Sequence, residues 1–190
     1  YELDYRLHFS EGLACVKKDG KWGFIDTTGK EVMSCQCDPV RSFSEGLALV
    51  GKNGKWGFID ITGKEIISCE YDMVSGFRDG LATVKTGEKW GFIDTTGKEI
   101  VPCQYDLAWP CHEGFASVEK DGKWGAIDTT GKEVIPCQYD MVWEFSEGLA
   151  PVSKGGKVGY VDTTGEVVIP FVFSSAMEFS EGLAYVRIGE

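Results

Sequence analysis

The stretch Lys55-Trp56-Gly57-Phe58-Ile59-Asp60, followed by Thr62-Gly63-Lys64-Glu65, decides the fold of this chain, because close copies of it recur every 34 residues. The Trp-Gly pair and its replacement begin at Trp22, Trp56, Trp90, Trp124 and Val158. A second marker keeps the same step at Glu11-Gly12, Glu45-Gly46, Asp79-Gly80, Glu113-Gly114, Glu147-Gly148 and Glu181-Gly182. Nearly all 190 residues are therefore one unit written five times, plus a fraction of a sixth copy.

The repeat unit has the composition of strands and tight turns. Each copy carries four to six glycines and lacks the long three-and-four apolar spacing of a helical face. Apolar runs such as Leu13–Val16 and Trp22–Ile25 predict short strands. Asp19-Gly20 lies between these two runs, where a two-residue type I′ hairpin turn requires positive φ at both positions. The sequence therefore predicts an all-β fold.

The number of strands in each repeat raises a topological question. Three apolar runs predict a three-stranded antiparallel meander, but an odd number of strands would reverse successive copies. Either Cys-Gln-Tyr-Asp adds a fourth short strand, or the chain crosses over to begin a new hairpin. We predict 34-residue repeats of three to four antiparallel strands stacked in an open array, with a closed propeller-like ring as the alternative. Residues 1–190 are predicted to be one domain of five repeats, capped by a C-terminal half-repeat at 179–186.

One copy reads Lys-Trp-Gly-Phe-Ile-Asp at residues 89–94, then Thr-Gly-Lys-Glu at 96–99. Together with Val-Ile-Pro in other copies, this pattern resembles the WG β-repeat family of bacteria over almost the whole chain. The resemblance implies an array of variable copy number that often accompanies other domains, and it implies no catalytic residues. Val158, Ala126 and Gly87-Glu88 depart from the pattern without changing the fold prediction.

Charge and composition narrow the possible partners. With 19 Lys and Arg against 30 Asp and Glu, the formal charge is −11, which argues against direct contact with nucleic acid phosphates. No apolar run approaches the ~18 residues of a membrane span, and no signal peptide is visible. Seven cysteines without paired spacings indicate free thiols, so we expect a cytoplasmic location.

Catalytic and metal chemistry find little support in the sequence. One Asp precedes each Thr-Gly turn, as at Asp26, and we expect its carboxylate to accept turn N–H groups in place of binding calcium. Cys35 and Cys37 with distant His8 make a weak zinc pattern. Cys111 and His112 are adjacent on an extended segment and should point to opposite faces. We therefore predict no cofactor, no metal and no enzyme activity.

The positions repeated in every copy are interpreted as scaffold. Glycine inside a strand, as at Gly57, indicates close approach by a neighbouring ring or backbone, and the tryptophan rings are the expected partners. The tryptophans themselves are interpreted as a ladder of core aromatics, with a row of sugar- or base-stacking platforms as the alternative.

Recognition is then expected at positions that differ between copies. One column, predicted to face outward, contains Cys15, Leu49, Thr83, Ser117, Pro151 and Tyr185; Pro151 implies that the N–H at this position lies outside the ladder. A second column contains Leu7, Arg41, Ser75, Trp109, Trp143 and Met177. From these columns and their neighbours, the candidate binding patch is Trp109, Trp143, Arg41, Arg78, His112 and Tyr185. The leading hypothesis is a non-catalytic scaffold that binds a protein or peptide within a larger assembly; a glycan-binding module is the alternative.

Overall fold

The computed structural model describes residues 9–189, apart from the side chains at 34–38 and 42. Within this range the chain consists of β-strands joined by turns and irregular segments, and it contains no helix. It accordingly has no helix with the length and apolar character needed to cross a membrane. The predicted all-β fold is confirmed.

The first sheet holds two repeats in six antiparallel strands. Its strands are hydrogen-bonded in chain order: β1 (Leu13–Lys18), β2 (Lys21–Asp26), β3 (Glu31–Ser44), β4 (Leu47–Lys52), β5 (Lys55–Asp60) and β6 (Glu65–Tyr71). The long strand β3 pairs with β2 through its first half and with β4 through its second half.

The later sheets show the single repeat, with four strands each. The second sheet contains β7 (Met73–Val74), β8 (Leu81–Thr86), β9 (Lys89–Asp94) and β10 (Glu99–Tyr105). The third contains β11 (Leu107–Ala108), β12 (Phe115–Lys120), β13 (Lys123–Asp128) and β14 (Glu133–Tyr139). The fourth contains β15 (Met141–Val142), β16 (Leu149–Lys154), β17 (Lys157–Asp162) and β18 (Val167–Phe173), and the half-repeat pairs β19 (Ser175–Ala176) with β20 (Val186–Arg187). Every sheet has a linear strand order, so the prediction of repeated open antiparallel sheets is confirmed.

Four strands per repeat resolve the orientation problem, because an even number lets successive copies run the same way. The expected fourth strand exists, but its predicted residues were wrong. Cys-Gln-Tyr prolongs the third strand, as in β10, and the two residues after the following Asp form the fourth strand, as in β11. The N–H of Asp106 donates to the carbonyl of Glu119 at 2.8 Å and thereby starts the pairing with β12.

The chain divides into two compact units, Tyr1–Gly87 with Ile93–Glu99, and Glu88–Phe92 with Ile100–Glu190. A core cluster of the first unit contains Leu13, Phe24, Val40, Phe43, Ala48, Val50 and Ile59. A core cluster of the second contains Trp124, Ala126, Ile135, Tyr139, Val142, Phe145, Ala150, Val152 and Val161. In the half-repeat, Phe179 packs on Tyr160 with ring centroids 5.0 Å apart, so this segment covers part of the last hairpin.

Two kinds of hairpin turn place residues at positive φ. In the predicted type I′ turns both central residues lie there, as at Asp19 (φ 51°) and Gly20 (φ 80°). The third copy differs because only Gly87, the first central residue, has positive φ (62°), which is typical of a type II′ turn. The Glu-Gly marker forms a further turn, exemplified by Glu45 (φ 53°) and Gly46 (φ 79°), which the sequence did not reveal as a turn.

The strand glycines are explained by backbone, and the expectation that tryptophan rings crowd them was wrong. A Cβ on Gly57 would lie 2.4 Å from the carbonyl oxygen of Ile67 in β6. The register shows why: Trp56 pairs with Tyr71 and Phe58 with Ile67, so three residues of β6 lie opposite the single residue Gly57 of β5. This bulge pushes the β6 backbone against β5. Equivalent close approaches occur at Gly91, Gly125 and Gly159.

The bulged third strand is also the outermost strand of each sheet. Strands β6, β10, β14 and β18 end their sheet orders. Exposed prolines lie within three of them, at Pro102, Pro136 and Pro170. Because proline donates no hydrogen bond and a bulge distorts the edge, these edges are poorly suited to adding a partner strand.

Candidate functional site

The repeated turn aspartates are committed to the scaffold. Oδ1 of Asp94 accepts hydrogen bonds from the N–H of Thr96 (2.9 Å), the hydroxyl of Thr96 (2.6 Å) and the N–H of Lys98 (3.0 Å). The Thr96 hydroxyl, with the two N–H donors, lowers the pKa of Asp94 against the opposing effect of burial. The same bonds recur at Asp26, Asp60, Asp128 and Asp162. The prediction that these carboxylates accept turn N–H groups is confirmed.

A second set of aspartates links one repeat to the next. Asp140 accepts from Lys123 Nζ at 2.6 Å within its own repeat and from the N–H of Gly155 in the next turn at 2.7 Å. Asp72 joins Lys55 to the Gly87 N–H, and Asp106 joins Lys89 to the Asp121 N–H, in the same way. The lysine hydrogen bond is the main cause of the lowered pKa of all three carboxyls. These side chains are part of the array and are not free to bind a ligand.

Asp140→Asn is expected to make unfolding less sensitive to acid. The lowered pKa of Asp140 means that its stabilisation is complete above the unfolded pKa of about 3.9 and is lost as pH falls through the lower folded pKa. Unfolding by urea, measured between about pH 6 and about pH 2, should therefore show a stability gap between wild type and variant that narrows at the acid end. Glu144→Gln, at an exposed carboxyl, is the control. A constant gap across this range would contradict the prediction.

The Glu-Gly turns and the residue before them form a further ladder between repeats. The N–H of Gly46 donates to Oε2 of Glu11 at 2.9 Å, and the Gly80–Glu45 and Gly182–Glu147 pairs repeat this bond. The hydroxyls of Ser10, Ser44 and Ser146 donate to the carbonyls of Phe43, Phe77 and Phe179 at 2.7, 2.7 and 2.8 Å. His112 occupies the serine position, with Nδ1 3.1 Å from the Phe145 carbonyl oxygen. One member of the predicted patch therefore has a contact that joins repeats.

The other patch residues lie in different surroundings. In the first unit, Arg41 and Arg78 are exposed, and the Arg41 guanidinium lies 5.6 Å from the centroid of the Trp56 ring. In the second unit, the half-buried Trp109 packs on Trp124 with centroids 5.0 Å apart.

Trp109 and Trp143 are joined through Ser117. The N–H of Trp109 donates to the Ser117 carbonyl at 2.9 Å, and the Ser117 hydroxyl lies 3.4 Å from the Trp143 carbonyl. Trp143 is half-buried, whereas Tyr185 in the half-repeat is 71% exposed. The backbones of Trp109 and Trp143 thus both contact Ser117. Binding of a partner by these residues stays a prediction. Leu7 and His8 lie outside the described residues.

The column predicted to face outward is mostly buried, so that prediction was wrong. Leu49, Thr83 (2% exposed), Ser117 (4%) and Pro151 are buried. They lie on strands inside each sheet, next to the short strand and the segment that follows it. That segment is hydrogen-bonded to the backbone at these positions, and the Trp143 N–H, for example, donates to the Pro151 carbonyl. The inference from Pro151 is supported, because the equivalent N–H of Thr83 donates to the Ser75 hydroxyl at 2.9 Å, outside the ladder.

The two variable columns meet at a surface cleft in the first unit. This cleft, called the Trp56 cleft below, has a volume of about 100 Å³ and is lined by Arg41, Leu49, Trp56, Met73 and Val74. The short strand β7 supplies the last two residues. Sequence reasoning missed the cleft because β7 had not been recognised as a strand.

None of the six tryptophans is fully exposed. All six lie in the described part of the chain; Trp124 is buried and the other five are half-buried. The Lys17 ammonium lies over the Trp22 ring, 5.5 Å from the ring centroid. Trp124 alone has the burial expected for the predicted ladder of core aromatics, and the half-buried rings have one face or edge at the surface.

Among the cysteines whose side chains the structure describes, none forms a disulfide: Cys15, Cys69, Cys103, Cys111 and Cys137. Cys111 is buried, while the ring of its neighbour His112 contacts the Phe145 carbonyl. Burial raises the pKa of the Cys137 thiol, whose Sγ lies 3.8 Å from the Val118 carbonyl oxygen. A raised pKa leaves less of the reactive thiolate. Residues 9–189, side chains at 34–38 and 42 apart, hold no cluster of three or more His, Cys, Asp or Glu suited to a metal ion.

A family model described as "WG containing repeat" matches residues 2–22, 22–56, 56–90, 90–124, 124–157 and 159–190. The chain belongs to the WG repeat family. The WG matches at 56–90 and 90–124 begin and end at a repeat tryptophan, so each covers the last two strands of one sheet and the first two strands of the next. No curated protein is significantly similar in sequence to this WG-repeat chain.

Solved structures resemble the WG-repeat chain at low sequence identity. A eukaryotic initiation factor has a TM-score of 0.52 at 13% identity, over 82% of this chain and 51% of that one. Hsv2 of Kluyveromyces lactis gives 0.48 at 10% identity over 83% and 58%, and BamB of Moraxella catarrhalis gives 0.44 at 13% over 95% and 65%. The chain thus spans about half to two thirds of the length of these proteins. At such identities the likeness concerns the fold alone.

Proposed function

We propose that this WG-repeat chain is a non-catalytic scaffold that binds a protein or peptide, as the recognition part of a larger assembly. One observation carries the proposal. Polar residues repeated in the copies are bonded within the scaffold, whereas some residues that differ between copies are exposed, as Arg41 is beside Trp56.

The distribution of polar contacts supports this division. The turn aspartates and the linking aspartates have partners in the array. So do the carboxylates of Glu11, Glu45 and Glu147 and the hydroxyls of Ser10, Ser44 and Ser146. Among the described residues, no buried side-chain nitrogen or oxygen lacks a hydrogen bond. The groups left for recognition are therefore the variable ones, such as Arg41 and Met73. Arginine and aromatic side chains are the usual energetic anchors of interfaces.

The proposed scaffold has no catalytic activity and is located in the cytoplasm. Carboxylates engaged in turns and ion pairs are poor candidates for acid–base catalysis, and a thiol of raised pKa such as Cys137 is a poor nucleophile. The odd number of cysteines, and the five described cysteines that form no disulfide, support a cytoplasmic location.

Selection from a random peptide library on the immobilised protein is expected to enrich peptides, while a glycan array shows no specific binding. Hydrogen exchange of the complex should slow at amides of the short-strand segments, near residues 41, 73–78, 107–112 and 141–146. The bulged outer strands β10, β14 and β18 should be unaffected, because their edges are unsuited to strand addition. Heat-denatured protein is the control for nonspecific enrichment. Binding of oligosaccharides without peptides, or protection confined to the outer strands, would contradict the proposal.

A further inference from the structure

We infer that the Trp56 cleft binds the aromatic side chain of a peptide in which a carboxylate neighbours the ring. This inference rests on the proposed function and names its site and the chemistry of its partner. The carrying observation is that another repeat fills the same cleft with a side chain of its own.

The repeat two copies further on has residues at the same five positions as those that line the Trp56 cleft. Adding 68 to the cleft positions gives Trp109, Ser117, Trp124, Met141 and Val142. Here the variable residue is an indole, and the Trp109 ring packs on the Trp124 ring with centroids 5.0 Å apart and planes inclined by 55°. In the second unit an indole therefore covers the tryptophan ring, whereas in the first unit the Arg41 guanidinium lies over the Trp56 ring and leaves an open cleft beside it.

Filling the cleft changes the exposure of its walls. Met73 is 51% exposed, whereas Met141 is only partly exposed and packs on the core of its unit. Val74 and Trp56 are half-buried, whereas Val142 is fully buried and Trp124 is 6% exposed. The walls of an unfilled cleft lack packing partners on one side. An aromatic ring from outside would supply the contacts that Trp109 supplies in the second unit.

Volume and lining define the apolar part of the occupant. The cleft measures about 100 Å³, and an enclosed cavity of roughly 150 Å³ holds benzene. Because this cleft opens to solvent, a phenyl ring can enter with one edge outside. Trp56 offers the part of its ring that Arg41 leaves uncovered, and Leu49 and Val74 offer aliphatic walls.

Arg41 defines the polar part. Its guanidinium is exposed and lies 5.6 Å from the Trp56 ring centroid, at the wall of the cleft. A guanidinium stays charged and can hold a carboxylate through two parallel hydrogen bonds. The chain as a whole carries a charge of −11, so an acidic peptide is disfavoured elsewhere on average. The charge of Arg41 therefore favours a carboxylate at this cleft.

A labelled peptide of sequence Gly-Ser-Glu-Phe-Glu-Ser-Gly tests the chemistry by fluorescence anisotropy. Replacing its Phe by Ala should weaken binding at least about tenfold, since a buried aromatic anchor is lost. Replacing both Glu by Gln should weaken binding to the wild type, and the difference between the two peptides should vanish in Arg41→Gln. Equal binding of the Phe and Ala peptides would overturn the inference.

Exchanging the residues at positions 41 and 109 tests whether the Trp56 cleft is the binding site. Arg41→Trp supplies the indole that Trp109 supplies in the second unit, so it should weaken peptide binding at least about tenfold while leaving the circular dichroism spectrum unchanged and raising the Tm. Trp109→Arg should open the corresponding cleft and add one binding equivalent in titration calorimetry. Should Trp109→Arg not fold, Arg41→Trp still decides, because it adds packing without creating a cavity.

The two proposals fail in distinguishable ways. If Arg41→Trp binds the peptide as the wild type does, the Trp56 cleft is not the site, and library peptides that protect other short-strand segments keep the proposed function intact. If no library peptide binds the wild type at all, the proposed function itself is wrong. Binding lost in Arg41→Trp but retained in the exposed control Val168→Ala supports both.

Discussion

Gly57→Ala is expected to lower the free energy of unfolding by about 3 kcal/mol, at the upper end of overpacking effects. The new Cβ would lie 2.4 Å from the Ile67 carbonyl oxygen and 2.7 Å from the Ser68 carbonyl carbon. Both atoms belong to backbone in the bulge of β6, so no side-chain rotation relieves the clash. Either the bulge or the pairing of β5 with β6 must shift.

Urea unfolding at neutral pH measures this loss, and Gly76→Ala is the matched control in the same unit. A Cβ on Gly76 would meet Leu49 Cδ1 and Ser44 Cβ at 3.9 Å, which is ordinary contact, and its φ is not positive. That variant should stay within about 1 kcal/mol of wild type, or gain stability through a less flexible unfolded chain. Equal stabilities for the two variants would show that the β6 backbone does not require glycine at position 57.

Phe77→Ala is expected to cost about 3–5 kcal/mol, the range for truncating a fully buried phenyl ring. Phe77 is 1% exposed and packs on Phe58 with ring centroids 4.7 Å apart. Phe58 lies in the first sheet and Phe77 follows β7 in the second, so this pair joins consecutive repeats. The Ser44 hydroxyl bonds the Phe77 carbonyl at the same place.

Two further variants sharpen this second test. Phe77→Leu retains most of the apolar volume and should cost clearly less than Phe77→Ala. Phe179→Ala removes the equivalent ring of the half-repeat, which is half-buried on Tyr160, and should cost less than Phe77→Ala. Because repeat arrays are stabilised by contacts between neighbours, hydrogen exchange should also quicken in both repeats that flank Phe77. An equal loss at Phe179 would contradict the proposed importance of the central contact.

Local chemistry was enough to predict the three longer strands of each repeat, the Asp-Gly and Thr-Gly turns and the family, but not the Glu-Gly turn or the short fourth strand. Asp19-Gly20 adopts positive φ at both residues, and Asp94 accepts hydrogen bonds from residues two and four positions later. These features depend on a few neighbouring residues, and each of them recurs in copies spaced 34 residues apart. The same reasoning located Arg41, which lines the Trp56 cleft, although it associated that residue with a different set of neighbours.

The sequence by itself determined that this is a tandem array of antiparallel hairpins, because turn residues and strand periodicity act over a few positions. Only the tertiary structure decided that Gly57 faces the β6 backbone, that Thr83 and Ser117 are buried, and that β7 closes a cleft beside Trp56. These features depend on the bulge opposite Gly57 and on the backbone pairing of Ser75 with Thr83 and of Trp109 with Ser117. The cleft depends on the approach of Met73 to Arg41, 32 residues apart in the chain. Propensity carries no information about such approaches, since packing and register set them once the sheets have formed.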